Sequence, residues 1–104
     1  MTLTELKTML DATGYPVAYS HFNKPVTPPF ICYRVPSSEN LMADGRVYHK
    51  INNVDIELYT DCKDLEAESA LESALDGTGL PYEVVETWID AEDLFQRTYE
   101  TRLI

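Results

Sequence analysis

Residues 53–61, NVDIELYTD, run directly into residues 62–75, CKDLEAESALESAL, and the spacing of the apolar residues changes between them. In the first stretch apolar and polar residues alternate, which predicts a strand with one buried face. In the second, Leu65, Leu71 and Leu75 recur among alanines and acids at steps typical of an amphipathic helix. The pair therefore predicts a strand followed at once by a helix from about Asp61 to Asp76, with no room for a catalytic loop.

Local signals on both sides of this block predict the other elements. Thr2 and Glu5 have the spacing of a capping box at the start of a short helix, which Gly14 and Pro16 end. Asp44-Gly45 is a two-residue turn that predicts a long hairpin, with a bulge near Pro36. The predicted strands are residues 15–22, 30–43, 46–60, 82–89 and 94–104.

These elements predict one α+β domain over residues 1–104. Their order is α-β-β-β-α-β-β, with a mixed, mainly antiparallel sheet, two helices packed on one face and a long central hairpin. A faint repeat supports this arrangement, because Leu10-Asp11 with Gly14 and Pro16 returns as Leu75-Asp76 with Gly79 and Pro81. Duplication and convergence on the same helix-stop chemistry explain the repeat equally well.

Composition narrows the class of protein. The 104 residues are 44% hydrophobic and carry a net charge of -10, which is enough apolar content for a packed core. Residues 53–104 hold fourteen acidic and three basic residues, whereas residues 1–52 are nearly neutral. No stretch has the length of a membrane span and no signal peptide is recognisable, so we expect a cytosolic protein without a membrane partner.

Motifs that carry chemistry are missing from the sequence. The four glycines form no phosphate-binding loop, the two histidines have no ligand spacing, and no nucleophile elbow is present. Cys32 and Cys62 are expected to be reduced thiols, and Asp61 and Asp64 disfavour a reactive thiolate at Cys62. We therefore predict no metal, no cofactor and no enzymatic activity.

Two groups of acids and the tyrosines are the other candidates for function. Glu66, Glu68 and Glu72 are predicted on the wet face of the second helix. Asp90, Glu92 and Asp93 are typical of a solvated turn, although a carboxylate pair or a cation site is an alternative. Seven tyrosines fall in or beside predicted strands, where they serve either packing or protein contacts.

Several stretches together resemble the tail terminator proteins of long-tailed bacteriophages, also called tail completion or tail-to-head joining proteins. The matching stretches are PFICY (29–33), NLMADG (40–45) with Tyr48, VDIELYT (54–60) with Lys63-Asp64, and YETR (99–102). The resemblance implies a subunit of a hexameric ring that caps the finished tail tube and docks onto the head connector. It also implies assembly in the host cytoplasm, a place at the head–tail junction of the virion, and DNA that passes through without specific binding.

Within that resemblance, two surfaces are predicted to act in assembly. The hairpin tip, with Asn40, Leu41, Met42, Asp44 and Tyr48, is predicted to be an assembly arm, unless it folds back on its own sheet. The acids of the second helix and of the 90–93 turn are predicted to form an acidic surface or lumen that repels phosphates. Other head–tail connector or neck proteins, and an acidic mimic of nucleic acid, are the alternative functions.

Overall fold

A computed structural model describes the backbone of residues 1–43 and 45–103, and the side chains of these residues except 40–43 and 46–50. The elements follow one another as α1 (Leu3–Asp11), β1 (Val17–Tyr19), β2 (Phe30–Ala43), β3 (Arg46–Thr60), α2 (Leu65–Thr78), β4 (Tyr82–Ile89) and β5 (Leu94–Leu103). The predicted α+β class and the order α-β-β-β-α-β-β are confirmed.

One five-stranded sheet has the order β1-β2-β3-β5-β4. β1 pairs with β2 in parallel, and the other neighbours are antiparallel, so the sheet is mixed and mainly antiparallel as predicted. β3 is the central strand, with Ile56 paired to Tyr33 of β2 and to Tyr99 of β5. The last strand of the chain therefore lies inside the sheet, and β4 lies at its edge.

Both helices pack on one face of this sheet. Val54, Ile56 and Leu58 are almost completely buried, because the strand period places all three on the same face. They form one core with leucines of both helices and with Tyr99. The core residues from the helices are Leu6, Leu10, Ala67, Leu71 and Leu75. The opposite face carries the polar residues of the alternation, including Asp55 and Glu57.

The second helix begins later and ends later than predicted. Asp64 is its N-cap, and its side chain accepts a hydrogen bond of 3.0 Å from the backbone N–H of Ala67. Residues 61–64 therefore form a short connector between β3 and α2. Gly77 remains helical, and the helix ends at Gly79, which has a left-handed backbone (φ 75°).

The first helix has the predicted capping box, with reciprocal bonds of 3.1 Å between Thr2 and Glu5. β1, by contrast, spans three residues and not residues 15–22. Ser20 ends it, because its backbone is left-handed (φ 67°) while its N–H donates to the carbonyl of Tyr33. The chain then turns away from β2.

The faint repeat corresponds to the same local geometry at both helix ends. The hydroxyls of Thr13 and Thr78 donate to the carbonyls of Leu10 and Leu75, at 2.7 and 2.6 Å. A glycine with positive φ follows each threonine. Each unit leads into a strand at one edge of the sheet, β1 in the first case and β4 in the second.

The long hairpin extends beyond the rest of the sheet. β1 pairs with β2 only over residues 31–33, and β5 pairs with β3 no farther than Asn52. Residues 38–43 and 46–51, called the ribbon below, have only each other as strand partners among the described residues. Register shifts occur between Arg34 and Ser37, at the bulge predicted near Pro36, and again between Leu41 and Met42.

Candidate assembly surfaces

Four of the five predicted interface residues lie on the ribbon. Asn40 is paired with Lys50, and Leu41 with His49. Tyr48 is the extra residue opposite the second register shift, since the next pair joins Met42 to Val47. Asp44 lies outside the described residues. The ribbon continues β2 and β3 of the sheet.

The predicted wet face of α2 is wrong for Glu68. This residue is only 8% exposed, because it lies on the side of α2 that faces β5. Lys63 Nζ lies 2.8 Å from a Glu68 carboxylate oxygen, and Arg97 Nε lies 3.4 Å from the other. A carboxylate at this position remains buried because two cations accompany it.

Arg97 and Lys63 collect three carboxylates, which we call the inner acids: Glu68, Glu72 and Glu86. Arg97 lies 3.4 to 3.6 Å from all three, and Lys63 Nζ also lies 3.0 Å from Glu86. Glu72 falls on the same side of α2 as Glu68, four residues later. Of the predicted helix acids, only Glu66 is fully exposed.

A buried tyrosine completes this network. The Tyr99 hydroxyl donates to Glu72 at 2.7 Å and accepts from Arg97 Nε at 2.9 Å. Tyr99 is completely buried, and its burial raises the pKa of the phenol. The sequence contains a signal for Arg97, because the alternation Phe95-Arg97-Tyr99 places this arginine on the core face of β5. A charged residue on that face requires a partner.

The acids of the β4–β5 turn have a different environment. Asp90, Glu92 and Asp93, called the turn acids below, are exposed as predicted for a solvated turn. Asp90 accepts a hydrogen bond of 3.0 Å from the Trp88 indole. Because Thr60 pairs with Phe95, the turn acids and the connector 61–64 lie at the same end of the sheet. The ribbon extends from the other end.

A row of charged residues crosses the face of the sheet that the helices leave uncovered. Cross-strand pairing aligns Arg34, Asp55, Glu100 and Glu83 on four successive strands. Arg34 lies 3.2 Å from Asp55. An open groove of about 730 Å³ runs beside this row, between Pro36 and Pro81. The groove is shallow and contains no nucleophile next to a base.

Residues on the same face form a partly buried cluster under the loop 20–29. Phe22 packs edge-on against Phe30, which stacks on Tyr59 at 4.9 Å. Glu57 accepts a hydrogen bond of 2.6 Å from Gln96, and burial raises the pKa of its carboxyl group. Burial also raises the pKa of Tyr59 to about 12. These bonds connect β3 to β5 and stabilise the sheet.

Neither cysteine has the environment of a reactive thiol. Burial raises the pKa of Cys32 to about 11. The pKa of Cys62 is raised by desolvation and by Asp61 and Asp64, in the direction that the sequence indicates. Cys62 lies in the connector and not at a helix start, so no helix terminus offsets these effects.

The edge strand β4 exposes apolar residues on both faces of the sheet. Val84 is 37% exposed and Trp88 42% on the helix face, and Val85 is 51% exposed on the other. Trp88 also packs against Phe95, with ring centroids 4.8 Å apart. Val85 lies apart from the other two residues, so the exposed apolar groups border the edge of β4 on both faces and do not form one patch.

Among the side chains that the structure describes, residues 1–39, 45 and 51–103, no three histidines, cysteines or acids come together as metal ligands would. No helix in the described part of the chain has the length and apolar character needed to span a bilayer.

Comparisons with known proteins show a shared fold. No protein-family model matches the chain, and no curated protein matches it significantly. Among solved structures, a chain from the virion of a native gene transfer agent particle aligns with a TM-score of 0.67 at 13% identity. The alignment covers 96% of this chain and 85% of that chain. At this identity, the match shows that the two chains share their fold over nearly all of this one.

Proposed function

We propose that this chain is a structural subunit of a phage-like virion, and that it forms a ring which caps the tail tube and joins it to the head. The observation that carries the proposal is the fold shared with a virion chain over 96% of this chain. The sequence resemblance to tail terminator proteins supplies the more specific role, because its motifs lie in β2, the ribbon, β3 and β5.

The charges of the molecule support a ring through which DNA passes. The turn acids are exposed at one end, and the connector beside them adds Asp61 and Asp64. A ring repeats such a group once per subunit, and a negative channel repels phosphates. The expected partners are other copies of the chain, a tail-tube protein and a head connector protein.

The uncovered face argues against a mimic of nucleic acid. A mimic needs a continuous array of acids, whereas Arg34 and Arg102 lie among the acids of this face. Arg34 is already paired with Asp55. No catalytic activity is expected, since Arg34 and the inner acids are occupied in ion pairs and the pKa of the Cys62 thiol beside Asp61 is raised.

Deletion of the gene from a genome that produces the particle tests the proposal. We expect heads and tails to accumulate without joining, and complementation by the intact chain to restore joined particles under the electron microscope. A tagged copy should label the head–tail junction. Joined particles of normal yield in the deletion strain would show that the chain has another function.

A further inference from the structure

Besides the short outer edge of the three-residue β1, two stretches of strand edge have no partner strand among the described residues. One is the outer edge of β4, and the other is the ribbon, where β2 and β3 have left β1 and β5 behind. Open edges are templates for pairing with another chain, and proteins that remain monomeric protect them with proline, lysine or a short strand. β4 has eight residues and contains neither proline nor lysine.

Both edges have reasons to be covered. Val84, Val85 and Trp88 expose apolar surface above and below β4, so a strand added at this edge would bury apolar groups on both faces. A two-stranded ribbon in water is only marginally stable without a third strand or a packed face. Pairing the two edges would therefore cover the apolar residues of β4 and give the ribbon a third strand.

Charge indicates which edges pair. Residues 82–93 contain five acids and no basic residue, so pairing β4 with β4 of a second copy would bring like charges together. The ribbon and its turn, residues 38–51, contain Arg46 and Lys50 against Glu39 and Asp44, so a β4 strand that pairs with the ribbon meets no excess of negative charge. We propose that the edge of β4 pairs with the ribbon of a second copy of this chain, which continues the sheet from one subunit to the next.

This contact is directional, because the two surfaces differ and belong to different elements of each copy. A head-to-tail contact leaves one ribbon and one β4 edge free at every step, and it closes only in a ring. The inference rests on the ring proposed above and specifies the contact that builds it. It also assigns an assembly role to β4, which the sequence gives no reason to single out.

Amide hydrogen exchange on the full chain tests the pairing directly. Exchange is measured in dilute solution and again at a concentration at which sedimentation shows association. Amide exchange in the peptides from residues 82–89 and 38–51 should be slower by about tenfold or more in the assembled state than in dilute solution. Peptides from the centre of β5, already paired on both sides, serve as the reference and should change little.

A pair of variants at one position separates edge pairing from general surface effects. Val85→Lys places a charge on the open strand and should weaken association about tenfold or more, because edge lysines oppose strand addition. Val85→Thr keeps a β-branched side chain and should associate nearly as the native chain does. Val85 lies outside the core, so both variants are expected to fold, which circular dichroism verifies.

The outcomes distinguish this inference from the proposed function. Association that leaves the exchange of residues 82–89 unchanged, or that Val85→Lys does not weaken, would overturn the strand pairing while the ring remained supported. Failure of the chain to associate at any concentration would also overturn it. Normal head–tail joining in the deletion strain would contradict the proposed function itself.

Discussion

The inner acids and the turn acids have the same formal charges but different surroundings. Glu68, Glu72 and Glu86 each lie within 3.6 Å of Arg97, with Glu68 buried under α2, Glu72 partly buried and Glu86 exposed on the edge strand β4. Asp90, Glu92 and Asp93 extend into solvent from the turn beside them. The first group holds the helix on the sheet, and the second contributes charge at the surface.

Because of this difference, the two groups of acids contribute unequally to the electric field around the protein. Three carboxylates that share Arg97 and Lys63 contribute little field outside the protein, since opposite charges accompany them. Neutralising Glu66, Glu68 and Glu72 together, as the sequence suggests for a lumen, should therefore disturb folding as well as charge. The turn acids are the better place to test repulsion between subunits.

The largest effect is expected from removing the shared cation. Arg97→Met should lower the free energy of unfolding by about 3 kcal/mol, because it leaves Glu68 buried with one cation fewer and removes the hydrogen bond that the Tyr99 hydroxyl accepts. Arg97→Lys, which keeps the charge, should lose less. Urea unfolding measures both variants, and a loss under about 1 kcal/mol in Arg97→Met would mean that the inner acids are as well solvated as the turn acids.

The buried hydroxyl is expected to have a smaller effect. Tyr99→Phe should cost about 1 to 2 kcal/mol, since the Glu72 oxygen and Arg97 Nε each lose a partner in a buried site. Tyr82→Phe is the matched control, because its hydroxyl also donates to a carboxylate, Asp76, at 2.9 Å but in an exposed position. Equal losses for the two variants in thermal unfolding would contradict the distinction.

The stability contributed by Glu86 and by Glu57 should change in opposite directions as the pH is lowered. The hydrogen bond from Lys63 lowers the pKa of Glu86, so its contribution to stability is present above the ordinary value of 4.5 and is lost as pH falls through the lowered pKa. Burial raises the pKa of Glu57, so its contribution is greatest below 4.5 and is lost as pH rises through the raised pKa. Glu86→Gln should reduce the loss of stability in acid.

Glu57→Gln should instead gain stability near pH 7 relative to pH 4. The effect of Glu86→Gln is expected to be only a few tenths of a kcal/mol, because solvent screens this exposed group, whereas the effect at the buried Glu57 should be larger. Thermal unfolding of the two variants from pH 3 to pH 7 measures them. Slopes of the same sign would show that burial does not govern Glu57.

The smallest effect on stability is expected at the turn. Neutralising the turn acids in Asp90→Asn, Glu92→Gln and Asp93→Asn should change the unfolding free energy by no more than about 0.5 kcal/mol. Asparagine retains the acceptor for Trp88 and tolerates the left-handed backbone of residue 93 (φ 52°).

The same variant should nevertheless associate more readily than the native chain at low salt. Native association should strengthen with moderate salt, which screens the repulsion between subunits, and the variant should lose most of this dependence. Sedimentation against salt measures it, with the exposed Glu66→Gln as a control for a single charge. Association that weakens steadily with salt would mean that the turn acids form attractive contacts.

Sequence alone predicted the elements of this fold that are determined by residues close together along the chain. The alternation in β3, the Asp44-Gly45 turn and the capping box of Thr2 and Glu5 are local signals, and the corresponding strands and helix are present. The bounds of α2 were missed by a few residues because Asp64 competes with Asp61 as the cap and because Gly77 is tolerated within the helix.

The inner network was missed for a different reason. Glu68 looks like any surface acid on α2, and its burial depends on Arg97, which reaches it only because β5 lies between β3 and β4. The order of strands in the sheet depends on contacts between distant residues, and the spacing of apolar residues along the chain does not predict it. The predicted interface residues on the ribbon and the turn acids could be proposed from sequence, but an assembly role for β4 could not, because the exposure of β4 follows from the same strand order.

The position of β5 between β3 and β4 also constrains the order of events while the chain is synthesised. The hairpin of β2 and β3 can form as soon as Thr60 has been made, since a two-residue turn joins its strands. The second neighbour of β3 arrives only with residues 94–103, after α2 and β4. Until then the central strand has an open edge on that side, although α1 and α2, which cover Val54, Ile56 and Leu58, have already been made. An unpaired central strand is a template for mispairing, so the chain is most prone to aggregate in that interval.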